Sequence, residues 1–202
     1  MAVNYATQRQ VHHTQAIMYE DGSMNVRTPD PYPGWLNEED LYEARQRLPM
    51  LYVEAIPVRL DPLGYVNEVG LLLTGDESGQ MLRTFVSGRV MYRETIRAAL
   101  IRHIEKDLGT MVLPQLPASP VPFTVAEYFP SPSETGLTDD RQHAVAMCYI
   151  VPVRGESTPR QDALELTWLS PAEALSEDIQ GEFAGGRENI LRQALAHVGI
   201  NI

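Results

Sequence analysis

Between Gly88 and Gly109 the chain spaces Glu94, Arg102, His103, Lys106 and Asp107. Positions 103, 106 and 107 are three and four residues apart, so a helix would set them on one face. Carboxylates at that spacing would hold a hard divalent cation, and the cation would position water and stabilise a phosphoryl group in transfer. This face carries a histidine, a lysine and one aspartate instead. An ammonium cannot ligate Mg²⁺, and imidazole suits Mn²⁺ or Zn²⁺ better. Asp107 is the one carboxylate on that face. Lys106 could act differently, as a fixed cation against a phosphate in place of a metal. His103 and Asp107, at i and i+4, have the spacing of an acid–base pair and equally of a plain helix-surface contact. Further on, "PSPSETGLTDDRQH" offers Glu134, Asp139, Asp140 and His143, as ligands brought from a loop or as solvated loop charge.

Such a face needs a strand, a loop and a helix to position it. Ile96, Ala99, Leu100, Ile104 and Leu108 recur at helical spacing, which predicts a helix over 96–108 with Thr95 as N-cap and Gly109 as its stop. Upstream, "MLYVEAIPVRLD" alternates as a strand does, and "EVGLLLTGDESGQMLRTFVSG" reads as two strands about a turn at Gly75 and Gly79. "LPQLPASPVPF" carries four prolines in eleven residues and is expected to be loop. Strands are expected in "TVAEYF", "HAVAMCYIVPVRG" and "LELTWL". Ser170, Pro171 and Glu173 spell a capping box that opens a helix, "AGGR" is a turn, and "ENILRQALAHVG" is a last amphipathic helix. Interleaved strands and helices place the chain in the α/β class with a mixed sheet. Ahead of this lies a polar segment with a hairpin signal at Asp21-Gly22 and a Pro-rich connector. A short helix then starts at Asn37, with Asp40 three residues on, and ends before Pro49. Leu36, Leu41, Ala44 and Leu48 give it a partial apolar stripe. The expected division is residues 1–49 as an N-terminal extension and 50–202 as the main domain.

Gly88, Glu94, Arg102 and Gly109 stand in the frame Gly-x5-Glu-x7-Arg-x6-Gly. That frame resembles the box of the Nudix hydrolase superfamily, and "TWLSPAEA" resembles the closing strand and helix start of its domains. The resemblance covers about residues 50–198, and "GWLNEEDLYEARQRLP" is similar to the lead-in of a bacterial Nudix-like subfamily. It implies a Nudix-type α/β/α sandwich with a mixed sheet. It also implies roles. Glu94 and Arg102 would be the architectural pair of the catalytic loop, and Asp107 the surviving position of the metal-binding carboxylates. His103 and Lys106 replace the other two. Together with Arg89 they are candidate ligand-binding residues. For an active enzyme the implied cofactor is Mg²⁺ or Mn²⁺.

Lys and Arg number 16 against 27 Asp and Glu, a net charge of −11. No excess of cations exists to release counterions, so long nucleic acids and anionic membranes are not expected partners. Gly88–Thr110 runs against this balance. Its five Arg and Lys against three Asp and Glu give +2, leaving −13 on the rest. No apolar run reaches the ~18 residues of a membrane span, and a cytoplasmic location is expected. Cys148, in "AVAMCYIVPV", is expected to be an inert core thiol. Three readings stay open at the level of sequence. One is a binder of a small phosphorylated or nucleotide-type ligand with hydrolysis weakened or lost. Another is a divergent pyrophosphohydrolase, and the third is a protein-interaction module. A homodimer joined through the N-terminal extension is also an expectation.

Overall fold

The computed structural model describes residues 16–18, 24–26, 34–75, 79–131, 135–158 and 164–200. Two short strands, β1 (Ala16–Met18) and β2 (Met24–Val26), pair antiparallel with Met18 opposite Met24. They flank Asp21-Gly22, which lies outside the described residues. Helix α1 (Glu38–Arg47) follows, and the Asn37 side chain accepts the Asp40 N–H at 2.8 Å. The Asp40 carboxylate takes the Asn37 amide, 2.9 Å away, rather than the Asn37 backbone. The apolar stripe expected on α1 is not buried. The helix has no buried residue, and Leu48 beyond its end is 61% exposed.

The main sheet has eight strands. Its path runs β10 (Glu165–Leu169), β4 (Val66–Gly75), β3 (Met50–Leu60), β9 (Ala144–Arg154) and β7 (Leu113–Pro114). β5 (Met81–Thr84) adds to β4, β6 (Val86–Arg89) to β3 and β8 (Thr124–Tyr128) to β9. β3 and β9 run parallel and every other pair is antiparallel, so the sheet is mixed. The stretch expected to give two strands gives three, because the chain breaks at Phe85, which is buried between β5 and β6. The proline-rich segment is loop except for β7, where Pro114 sits on an edge strand, which suits a residue without an N–H.

Side-chain alternation splits β3 between two layers. Val53 and Ala55 pack with Ala99, Leu100, Ile104 and Leu108 of α2 (Ile96–Leu108). Ile56 and Val58 pack with Ile190, Leu191, Ala194 and Leu195 of α5 (Arg187–His197). Helices thus cover both faces, as expected of an α/β/α sandwich. Before α5 come α3 (Pro171–Ala174), opened by the Ser170–Glu173 capping box, and α4 (Glu177–Gln180), a turn that no sequence signal announced. Among the described residues no helix is long and apolar enough to cross a membrane.

Candidate functional site

The loop between β6 and α2 is closed by one clamp. Arg102 donates to Glu94 through Nε and Nη2, both at 2.7 Å, the planar two-point pairing that guanidinium and carboxylate favour. The same Glu94 carboxylate accepts the Met91 N–H at 2.9 Å. Arg102 donates again to the Arg89 carbonyl at 2.9 Å. Arg102 holds the Glu94 carboxyl below its usual range, with burial opposing. Within this closed turn Arg93 has φ 64°, a left-handed backbone that a non-glycine residue adopts at a cost of roughly 1–2 kcal/mol. Tyr92 and Arg93 are thereby turned outward, and both are exposed.

His103 lies directly over Gly88. A Cβ at Gly88 would fall within its ring, so only glycine fits between β6 and α2 here. His103 is 6% exposed, and its Nε2 stands 3.1 Å from the Arg89 carbonyl. A carbonyl only accepts, so Nε2 carries the proton and Nδ1 is a buried lone pair with no partner. Burial lowers the His103 pKa, the Arg89 carbonyl opposes, and the charges of Arg102 and Lys106 lower it further. The ring is neutral. Asp107, 7% exposed, has Lys106 Nζ 3.2 Å from its Oδ1. Arg89 is held at its tip, where Nη2 donates to the Gly34 carbonyl at 2.9 Å.

Among the described loop residues, Asp139, Asp140 and His143 make no hydrogen bond or ion pair with this group. Asp139 is bound by Arg141 at 2.8 Å and by Gln142 at 2.9 Å, and Thr138 N–H donates to the Gly185 carbonyl ahead of α5. That ties the loop to the α5 side of the sheet, whereas Asp107 sits on α2. The His143 ring stacks on Phe129 at 4.5 Å. Asp140 has no contact with the box in the structure's hydrogen bonds and ion pairs, and Glu134 lies outside the described residues. Sequence reasoning passed over a second polar group on that side. Glu54, 1% exposed, accepts from Arg187 Nε at 3.0 Å and from the Tyr128 hydroxyl at 2.8 Å. The Arg187 guanidinium also lies 4.5 Å from the Tyr128 ring centroid. A lone Glu inside the apolar run of β3 was the available signal. Cys148 is buried beside Glu54, and burial pushes its thiol far up, as befits an inert core cysteine.

Residues 31–200 match the family described as "Domain of unknown function (DUF4916)". The crystal structure of a possible asymmetric diadenosine tetraphosphate (Ap4A) hydrolase from Jonesia denitrificans is 58% identical, with TM-score 0.75, covering 77% of this chain and 99% of that one. The fold also recurs in a Nudix family hydrolase from Clostridium perfringens (18% identity, TM-score 0.52, 75% of this chain and 97% of that one). It recurs again in a C. elegans Ap4A hydrolase (12% identity, TM-score 0.52, 74% and 98%). This chain belongs to the DUF4916 family, and its fold is that of the Nudix hydrolases. No curated protein matches it in sequence.

The donor set of the segment from Gly88 to Gly109 does not fit Mg²⁺, the ion that the Nudix resemblance implies. Mg²⁺ requires oxygen ligands in near-octahedral array. The described residues hold no cluster of three His, Cys, Asp or Glu able to surround an ion. The Asp107 carboxylate has an ammonium at contact distance, the Glu94 carboxylate is taken by Arg102, His103 fills the space over Gly88, and the Arg89 carbonyl already accepts from two donors. What this chain offers there is a cationic group, Lys106, beside Asp107.

Proposed function

We propose that this protein is a Nudix-like binder of a small phosphorylated or nucleotide-type ligand at its box, with metal-dependent hydrolysis weakened or lost. One observation carries the reading: Lys106 stands beside Asp107, where the family would have two metal-binding carboxylates. An ammonium there attracts phosphate oxygens directly and repels a divalent cation. Arg89 and Lys106 supply the attraction, Asp107 orients Lys106, and the Glu94–Arg102 clamp keeps the loop from collapsing onto the ligand. The extension, residues 1–49, and the box-bearing domain, 50–202, act together, and a homodimer through the extension belongs to the same reading. Long nucleic acid and membranes are not partners in it. Titration calorimetry with pyrophosphate in EDTA tests the proposal. Binding is expected, with Lys106→Ala weakening it by about tenfold or more. No binding to the wild type, or binding that needs Mg²⁺, ends the proposal.

A second reading has a specific support. The 58% identical structure carries the description of a possible Ap4A hydrolase, which favours an active pyrophosphohydrolase acting on a dinucleoside polyphosphate. Incubation with Ap4A and Mg²⁺ or Mn²⁺, followed by ³¹P NMR, separates the two. Our reading expects the double variant His103→Glu, Lys106→Glu to gain Mn²⁺ binding and the wild type to leave Ap4A largely intact. Rapid metal-dependent cleavage by the wild type favours the second.

A further inference from the structure

Trp35 and Tyr92 are two large aromatic side chains left in solvent, 68% and 70% exposed. Trp35 lies just ahead of α1 and Tyr92 in the loop between β6 and α2, far apart in the sequence. Contacts one residue away bring them to the same place. A side chain at Gly34 would meet Met91 Cβ at 2.8 Å and Tyr92 N at 3.3 Å, so the backbone before Trp35 lies flat on the box loop. The Arg89 bond to the Gly34 carbonyl fastens it there. On the other side, the strained turn at Arg93, closed by Glu94, projects Tyr92 outward. Leaving two aromatics in water at one loop forgoes their burial, and holding a left-handed arginine beside them adds strain. Strain of this kind concentrates at sites that recognise ligands. The neighbourhood is also cationic in an acidic protein, with Arg89, Arg93 and Lys106 on the same loop and helix.

We infer that Trp35 and Tyr92 form the recognition edge for the aromatic base of a nucleotide whose phosphates bind at the box. The inference rests on the phosphate-binding reading above and narrows its ligand to a nucleoside di- or polyphosphate. Flat π-faces attract bases with little regard to their hydrogen-bond pattern, so affinity should depend on having a base more than on which base it is. The assignment gives the segment ahead of α1 a share in specificity, with Gly34 as the joint that brings it onto the loop.

The experiment compares pyrophosphate with ADP by titration calorimetry in EDTA, for wild type, Trp35→Ala and Tyr92→Ala. Both side chains are exposed, so the variants fold, and circular dichroism checks this. The wild type is expected to bind ADP about tenfold or more tightly than pyrophosphate. Each variant should lower that ratio severalfold while leaving pyrophosphate affinity unchanged, and Trp35→Phe should keep most of it. GDP should behave within a few-fold of ADP. Equal affinity of the wild type for ADP and pyrophosphate overturns the inference and leaves phosphate binding standing. A ratio that survives in both variants does the same. Failure to bind either ligand overturns the phosphate reading, and this inference with it.

Discussion

His103 is where a single residue makes a measurable difference. It is buried, neutral and hydrogen-bonded through Nε2 alone. Its folded pKa lies below that of the unfolded chain. As pH falls through about 6.5, the unfolded chain takes up the proton first, and stability declines until the folded imidazole also titrates. Thermal unfolding followed from pH 7.5 to 5.5 should show a larger loss for the wild type than for His103→Gln. Equal losses would mean His103 is not the group responsible. Glu94 works the other way. Its lowered pKa adds stability above its unfolded value, and this is lost only in stronger acid. Arg102→Ala should cost about 2–3 kcal/mol in urea denaturation, since it strips a partly buried carboxylate of its two guanidinium bonds and the Arg89 carbonyl of one of its two donors. A cost near zero would show the clamp to be ornamental.

Elements meet at two points where few residues decide the geometry. β6 and α2 touch through Gly88 and His103, with no room for a methyl group. Gly88→Ala should destabilise by about 1–3 kcal/mol or more through overpacking. Adding His103→Ala should recover part of that loss, because the clash and its cause are coupled. Additive costs in the double-mutant cycle would contradict the contact. α5 and β3 meet through Arg187 and Glu54, a buried pair completed by Tyr128. Arg187→Ala leaves Glu54 in the core without its counter-charge and should cost about 3–5 kcal/mol. Glu54→Leu with Arg187→Met should lie much closer to wild type, since replacing a buried pair by apolar groups is often nearly neutral. If the double variant is the less stable, the pair contributes more than its own desolvation costs. This group also carries the α5 side of the loop, through Gly185 and Thr138.

At the scale of the whole molecule, the backbone at Gly34 is fastened to the box by Arg89, and α1 to the loop ahead of β9 by Arg45, which donates to Gln142 at 3.0 Å. Residues 1–33 are therefore continuous with a segment lying on the candidate site. Their apolar positions, Ile17, Met18, Met24 and Val26, are too few for a core of their own. Full-length protein should run as a dimer in light scattering at micromolar concentration, and the chain lacking residues 1–33 as a monomer. A monomeric full-length chain removes the dimer from the proposal, and a dimer that survives the deletion moves the interface elsewhere.

Periodicity and caps were enough to read the helix over 96–108, the strands around it and the capping box at Ser170, because those signals are local. Hydrogen bonds within a turn and alternation along a strand depend on neighbours a few residues away. The frame of Gly88, Glu94, Arg102 and Gly109 was legible for the same reason, and it pointed to the family. What the sequence could not rank was which charges meet. Asp107 and His103 had the spacing of a pair, yet Asp107 has Lys106 beside it and His103 turns to the Arg89 carbonyl. Asp139 was a candidate for the box and lies with the loop on the α5 side of the sheet. Glu54 and Arg187, 133 residues apart, form a buried pair that no local pattern announced. Such contacts are set by how layers stack across the sheet, and that stacking exists only in the folded chain.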